Sequence, residues 1–167
     1  MIATVFIVLL AIFMLAVILF DAARYIIPNN LNLAVLILYF IAVFVLPIPP
    51  GVALSALGAA SAVLLVGLGM FALGLMGGGD VKLLAVLALW TGWSMATVNF
   101  LVLTALFGGA LVVVVLLARA ILPPILFKLR PTMNMPRLLV RKQPVPYGLA
   151  IAGGFSYLLA THGVPGL

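Results

Sequence analysis

The sequence predicts an all-α fold, a polytopic membrane bundle of six transmembrane segments forming one domain over residues 1–167. Three observations predict it. The chain is 68% hydrophobic and only 6% charged, with a mean hydropathy of +1.50, where a soluble domain carries about 25% charged residues. Its apolar residues fall in long continuous runs rather than the alternating pattern that a membrane barrel requires. Every basic residue also falls on one side of the bilayer once six spans are threaded.

The runs are approximately Ile2–Phe20, Leu31–Val45, Val52–Met76, Val81–Trp93, Val98–Leu122 and Tyr147–Ala160. The first has no basic residue before it, exceeds the length of a signal-peptide core and lacks a small-x-small cleavage site. It is expected to be a retained span. The second, fourth and sixth are short, roughly 13–16 residues against the ~20 needed to cross fully. They are expected to extend into their flanks or to sit where the bilayer thins. Turn chemistry separates the runs. Ile27-Pro28-Asn29-Asn30 divides the first two, and Pro47-Ile48-Pro49-Pro50-Gly51 the next pair. Gly77-Gly78-Gly79 closes the third, and Gly92 to Thr97 is a weaker break before the fifth. Small residues crowd the third run (Gly58 to Ala62, then Gly67, Gly69 and Gly74), as close helix packing allows. No internal repeat is visible, which counts against inverted-repeat transporters.

Arg24, Lys82, Arg119, Lys128, Arg130, Arg137, Arg141 and Lys142 are all the basic residues of the chain. Six of them lie in a loop at about 119–146. By the positive-inside rule their side is cytoplasmic and both termini lie outside. The net charge of +6 is thus explained by topology and by contact with anionic membrane lipid, at about 1 kcal/mol per residue near the surface. No nucleic acid is expected. Cysteine is absent, which excludes disulfides, a thiol nucleophile and Cys-ligated zinc.

Against eight cations the chain has only two acids, Asp21 and Asp80, each at the end of an apolar run. A carboxylate at bilayer depth costs about 2.5–3.5 kcal/mol on insertion scales, so two at matching depth suggest a site. Two carboxylates in one site resist joint ionisation and hold a proton between them. That state suits peptide hydrolysis: one carboxylate deprotonates water while the protonated partner polarises the scissile carbonyl. The lone His162 lies on the opposite side, so no Ser/His/Asp relay can assemble. Gly77-Gly78-Gly79-Asp80 is the most specific local feature. Glycine permits positive φ and close approach of a substrate backbone, and a helix starting near Asp80 favours its anionic form. A Gly-rich hinge with Asp80 as a helix cap is the competing reading.

These residues resemble the type IV prepilin peptidases, membrane aspartic proteases of the Gly-x-Gly-Asp group. Asp21 with Arg24, Ile27, Pro28 and Asn29 looks like the first aspartate motif of that family. Gly77-Gly78-Gly79-Asp80-Val81-Lys82-Leu83 looks like the second, and Pro146-Tyr147-Gly148 like a third element opening the last helix. The resemblance implies that Asp21 and Asp80 are the catalytic pair and that Gly77 and Gly79 are the motif glycines. It implies a helical bundle in the prokaryotic inner membrane with its site at the cytoplasmic boundary, cutting the leader of prepilins or pseudopilins after a glycine. No metal or organic cofactor is required. Larger members carry a cytoplasmic insertion with paired cysteines and a methyltransferase activity. Here the first span leads straight into Asp21, so cleavage without N-methylation is expected, as in the compact peptidases of tight-adherence (Flp) pili.

Other residues have plainer expectations. Lys82 reads first as a topology determinant that snorkels to the interface, and second as a partner steadying Asp80. Asn29 and Asn30 either hydrogen-bond near Asp21 or form a simple Pro-Asn turn. Trp90, Trp93 and Tyr157 read as interfacial anchors, and Met70, Met76 and Met95 as packing residues. Two other function classes compete: a small proton-coupled transporter using the two acids as a relay, and a non-catalytic assembly factor of a secretion machine. A relay should connect both faces, and no acid lies on the far one. An assembly factor would tolerate Asn at either aspartate.

Overall fold

Each apolar run becomes a helix, because in lipid every backbone N–H and C=O must find a partner within its own segment. The structure, a computed structural model, describes residues 1–129, 136–140 and 143–161. It contains α1 (Ile2–Arg24), α2 (Asn29–Val45), α3 (Pro50–Ala72), α4 (Gly78–Thr91), α5 (Met95–Leu129), a 3₁₀ turn at Arg137–Leu139 and α6 (Gly148–Thr161). No strand occurs among the described residues, so the all-α expectation holds. Arg130, Arg141, Lys142 and His162 lie outside the described residues.

Three stretches are long and apolar enough to cross a membrane alone: Ile2–Arg24, Pro50–Ala72 and Met95–Lys128. The 14-residue α4 rises only about 21 Å at 1.5 Å per residue, and it is the centre of the bundle. It packs on α2, α3, α5 and α6 and buries nearly every residue from Val81 to Thr91, as a helix apolar on all sides does. Around it, α1 lies on α2 and α6, and α5 lies on α6.

Two polar residues ride on the faces turned to the core. In α1 the buried positions are Phe6, Leu10, Met14, Val17 and Asp21, the four- and three-residue steps of one helical stripe. In α2 they are Asn32, Val35, Leu38, Tyr39 and Ala42. The packing that fixes each helix therefore also aims Asp21 and Asn32 inward. Helix α3 buries only Ala56, Ala59 and Gly67. A Cβ on Gly67 would lie 2.7 Å from Val81 Cγ1, so the missing side chain sets how closely α3 and α4 approach.

The turns are well built. Helix α3 ends in a Schellman motif, with Leu75 N–H donating to the Met70 carbonyl and Gly74 N–H to Phe71, both at 2.9 Å. Gly74 takes the left-handed conformation there at φ 70°. The break from Gly92 to Thr97, weak in sequence, is tight in space. Gly92 has φ 65°, Ser94 Oγ accepts from Ala96 N–H at 3.1 Å as an N-cap, and the Thr97 hydroxyl bonds the Gly92 carbonyl.

Two expectations are corrected. The loop placed at about 119–146 does not begin at Arg119, because α5 continues through Pro123 and Pro124 to Leu129. Its 35 residues reach about 52 Å, well beyond a ~30 Å hydrocarbon core. Trp90 is not an interfacial anchor. It is 3% exposed and wedged between Phe6 and Tyr39, with ring centroids at 6.3 and 5.5 Å. Trp93 and Tyr157 are exposed, as anchors are.

Candidate active site

Asp21 occupies the last turn of α1, the end at which a negative charge opposes the helix dipole. What compensates it comes from another helix. The first amides of α6, those of Gly148 and Leu149, face the carboxylate, although none reaches Oδ2 in full hydrogen-bond geometry. Gly148 makes the approach possible: a Cβ there would sit 2.7 Å from Asp21 Oδ2 and 3.0 Å from Ile27 Cδ1. Asp21 is only 4% exposed, so this helix N-terminus is a large part of what it has in place of water.

Asp80 is the third residue of α4, whose N-cap is Gly77. Its carboxylate turns back to the Gly77 amide, the reach of an acidic N3 residue in a capping box. Gly77 leaves the room, since a Cβ on it would lie 2.9 Å from Asp80 Oδ2. The helix-cap reading and the site reading of Asp80 are therefore compatible.

Both carboxylates line one cleft of about 820 Å³. Asp21, Tyr25, Ile26 and Ile27 form one wall, and Met70 with Gly74 to Asp80 another. Val112 of α5 and Pro144, Val145 and Tyr147 close the third side. The two acids are near enough for their charges to interact. Tyr25, the residue capping α1, is the one described non-glycine residue with positive φ, at 57°. Holding a tyrosine there costs of order 1–2 kcal/mol, and the turn it makes brings Ile26 and Ile27 to the cleft.

The supporting residues divide. Asn29 lies at the cleft, where its Oδ1 accepts from Lys82 Nζ at 2.9 Å, so Lys82 ties α4 to α2 and makes no ion pair with Asp80 among the described contacts. Pro28 is the N-cap of α2. Arg24 lies outside the cleft, its guanidinium over the Phe20 ring at 5.5 Å from the centroid. Pro146 is buried. Tyr147 lines the cleft, with its ring against Gly108 of α5 where a Cβ would collide with it. None of Gly77, Gly78 and Gly79 uses the positive φ that glycine allows. Gly77 is extended, at φ −73° and ψ 145°, and that conformation falls to Gly74 instead. Gly79 lets α4 pass Ile27, whose Cβ would lie 3.4 Å from an added methyl. Met70 and Met76 are cleft residues as well as packing ones.

Sequence reasoning missed Asn32 and Arg119. Asn32 is buried and its Nδ2 donates to the Gly79 carbonyl at 3.4 Å, linking α2 to the turn before Asp80. Its signal was a lone amide eleven positions past Asp21 inside an apolar run. Arg119, taken for a loop cation, is 9% exposed within α5, and its position before the end of an apolar run was the available clue.

Comparison with known proteins agrees with this arrangement. The model of the type IV leader peptidase family matches residues 8–117, more than half of the chain, and that stretch contains both aspartates and the Gly77–Gly79 turn. No curated protein and no solved structure matches. Two acids on separate helices, framed by a glycine turn in an all-helical apolar bundle, thus lie within a matched region, and the chain belongs to the type IV leader peptidase family.

Proposed function

We propose that the protein is an aspartic endopeptidase that removes the N-terminal leader of prepilin-like proteins, with Asp21 and Asp80 as its catalytic pair. The observation that carries this reading is that the only two acids in the sequence line the same cleft, each facing the amides at the start of a helix. A pair holding one proton supplies both roles that amide hydrolysis needs. The ionised carboxylate takes a proton from water as its oxygen attacks the scissile carbonyl. The protonated carboxyl donates a hydrogen bond to the carbonyl oxygen as charge develops on it. Collapse of the tetrahedral intermediate expels the amine, which takes up the proton gained by the first carboxylate.

The substrate class follows from the surroundings. A cleft that holds both carboxylates and Asn29 among apolar side chains, at one end of an apolar bundle, suits a polar leader joined to a hydrophobic helix, with the bond cut at their junction. Gly77 to Gly79 present backbone without side chains to an extended segment there. By the positive-inside rule this end faces the cytoplasm of a prokaryotic cell, and exposed Lys82 is in keeping with that orientation.

Co-expression of a prepilin with the wild type, Asp21→Asn or Asp80→Asn tests the reading by precursor size on a gel. Each variant leaves the precursor uncut while accumulating in the membrane. Processing that persists in both removes the pair from the chemistry.

A further inference from the structure

Arg119 is a buried cation that the proposed chemistry does not use. The chain's two carboxylates both belong to the cleft, and the guanidinium instead spends its donors on main-chain carbonyls. Nε donates to Leu138 O and Nη2 to Gln143 O, each at 2.8 Å. A planar guanidinium that meets two acceptors fixes the direction of the segment as well as its distance. The chain leaving Gln143 passes the cleft as Pro144 and Val145, seats the Tyr147 ring against Gly108, and presents the Gly148 amide to Asp21. Only four residues, Pro144 to Tyr147, therefore separate the carbonyl held by Arg119 from the amide that faces a carboxylate. This strap lies beyond the residues 8–117 that the family model matches.

We propose that Arg119 is a positioning residue, which holds Leu138 and the strap from Gln143 to Tyr147 against α5 and thereby sets the α6 N-terminus against Asp21. The inference rests on the reading of Asp21 as one of the catalytic pair, but its structural half can be measured without cleavage. Because the chain has no cysteine, a single Val145→Cys reports on the strap, and Asn30→Cys in the exposed first turn of α2 serves as the reference. Both are labelled with a soluble maleimide in the membrane-reconstituted protein.

Arg119→Gln raises the labelling rate at position 145 about fivefold or more and leaves position 30 unchanged. Without the cysteines, Arg119→Gln lowers kcat for prepilin cleavage about 10- to 100-fold, the range expected for a sub-ångström to 1 Å misplacement. Arg119→Lys, a point charge unable to span both carbonyls, falls between, and it replaces the Gln variant if that one does not accumulate. Guanidinium chloride at about 20 mM restores cleavage in Arg119→Ala and slows labelling at position 145 together, because the planar fork is what joins the two. Unchanged labelling in Arg119→Gln overturns the strap, and faster labelling with wild-type kcat overturns its link to Asp21. Should the wild type cut no prepilin, the proposed function fails, while the labelling still decides the strap.

Discussion

Replacing Gly148 by Ala tests the contact on which the site geometry depends. The added methyl would lie 2.7 Å from Asp21 Oδ2 and 3.0 Å from its Cγ. Restoring an ordinary contact of 3.4 Å requires about 0.7 Å of movement between the α6 start and the carboxylate. Asp21 is 4% exposed and continues the packed stripe of α1, so a retreat from α6 carries its carboxylate into the cleft it lines and away from the α6 amides. Misplacement by 1 Å can cost about 100-fold in rate, and Gly148→Ala should lose about 10- to 100-fold in prepilin cleavage. Stability should move by a comparable amount or less. Ala is favoured over Gly in a helix by up to ~1 kcal/mol, against ~1–3 kcal/mol for overpacking, leaving a net loss within about 2 kcal/mol. The assay is cleavage of a reconstituted prepilin per folded enzyme, with thermal unfolding followed in parallel. Gly69→Ala is the control, because nothing lies within 4 Å of its added methyl. A folded Gly148→Ala enzyme that cuts at the wild-type rate would refute the argument that this glycine makes room for the acid.

Other outcomes follow from the same contacts. Cleavage rate against pH should be bell-shaped, because a doubly ionised pair lacks the donor and a doubly protonated pair lacks the base; a rate that only rises or only falls would speak against a shared proton. Gly67→Ala should destabilise the bundle by ~1–3 kcal/mol through its 2.7 Å approach to Val81 Cγ1, and Val81→Ala should recover part of that loss in the double variant, as read by unfolding in denaturant. Trp90 Nε1 has no hydrogen-bond partner among the described residues. Trp90→Phe should therefore cost under ~1.5 kcal/mol, since an unpaired buried donor disappears with the lost area, whereas Trp90→Ala should cost ~3–5 kcal/mol.

The existence and type of the helices were legible because continuous apolar sequence in lipid has few alternatives. Which face of each helix points inward was not. A helix that is apolar all round carries no amphipathic signal, and only Asp21 marked the inner face of α1. The same uniformity made Trp90 look interfacial, since an aromatic near a helix end reads alike whether it meets headgroups or the Phe6 and Tyr39 rings. The two acids stood out because carboxylates are costly in this setting. Arg119 did not, because a cation beside a basic loop already has an explanation in topology. The continuation of α5 through Pro123 and Pro124 ran against local propensity. The role of Gly148 lay in a contact 127 positions from Asp21 in sequence, which no local pattern can announce.

The stripe Phe6, Leu10, Met14, Val17, Asp21 also gives α1 a rotational phase. Lipid-facing positions such as Val8, Ile12 and Leu15 can exchange among apolar residues at little cost, because any of them satisfies the bilayer. Adding or deleting a single residue between Phe6 and Asp21 is a different event, turning everything beyond it by about 100° around the helix axis. The first span is thus a shaft whose length in residues is keyed to the tooth at its end, free to drift in spelling but not in count.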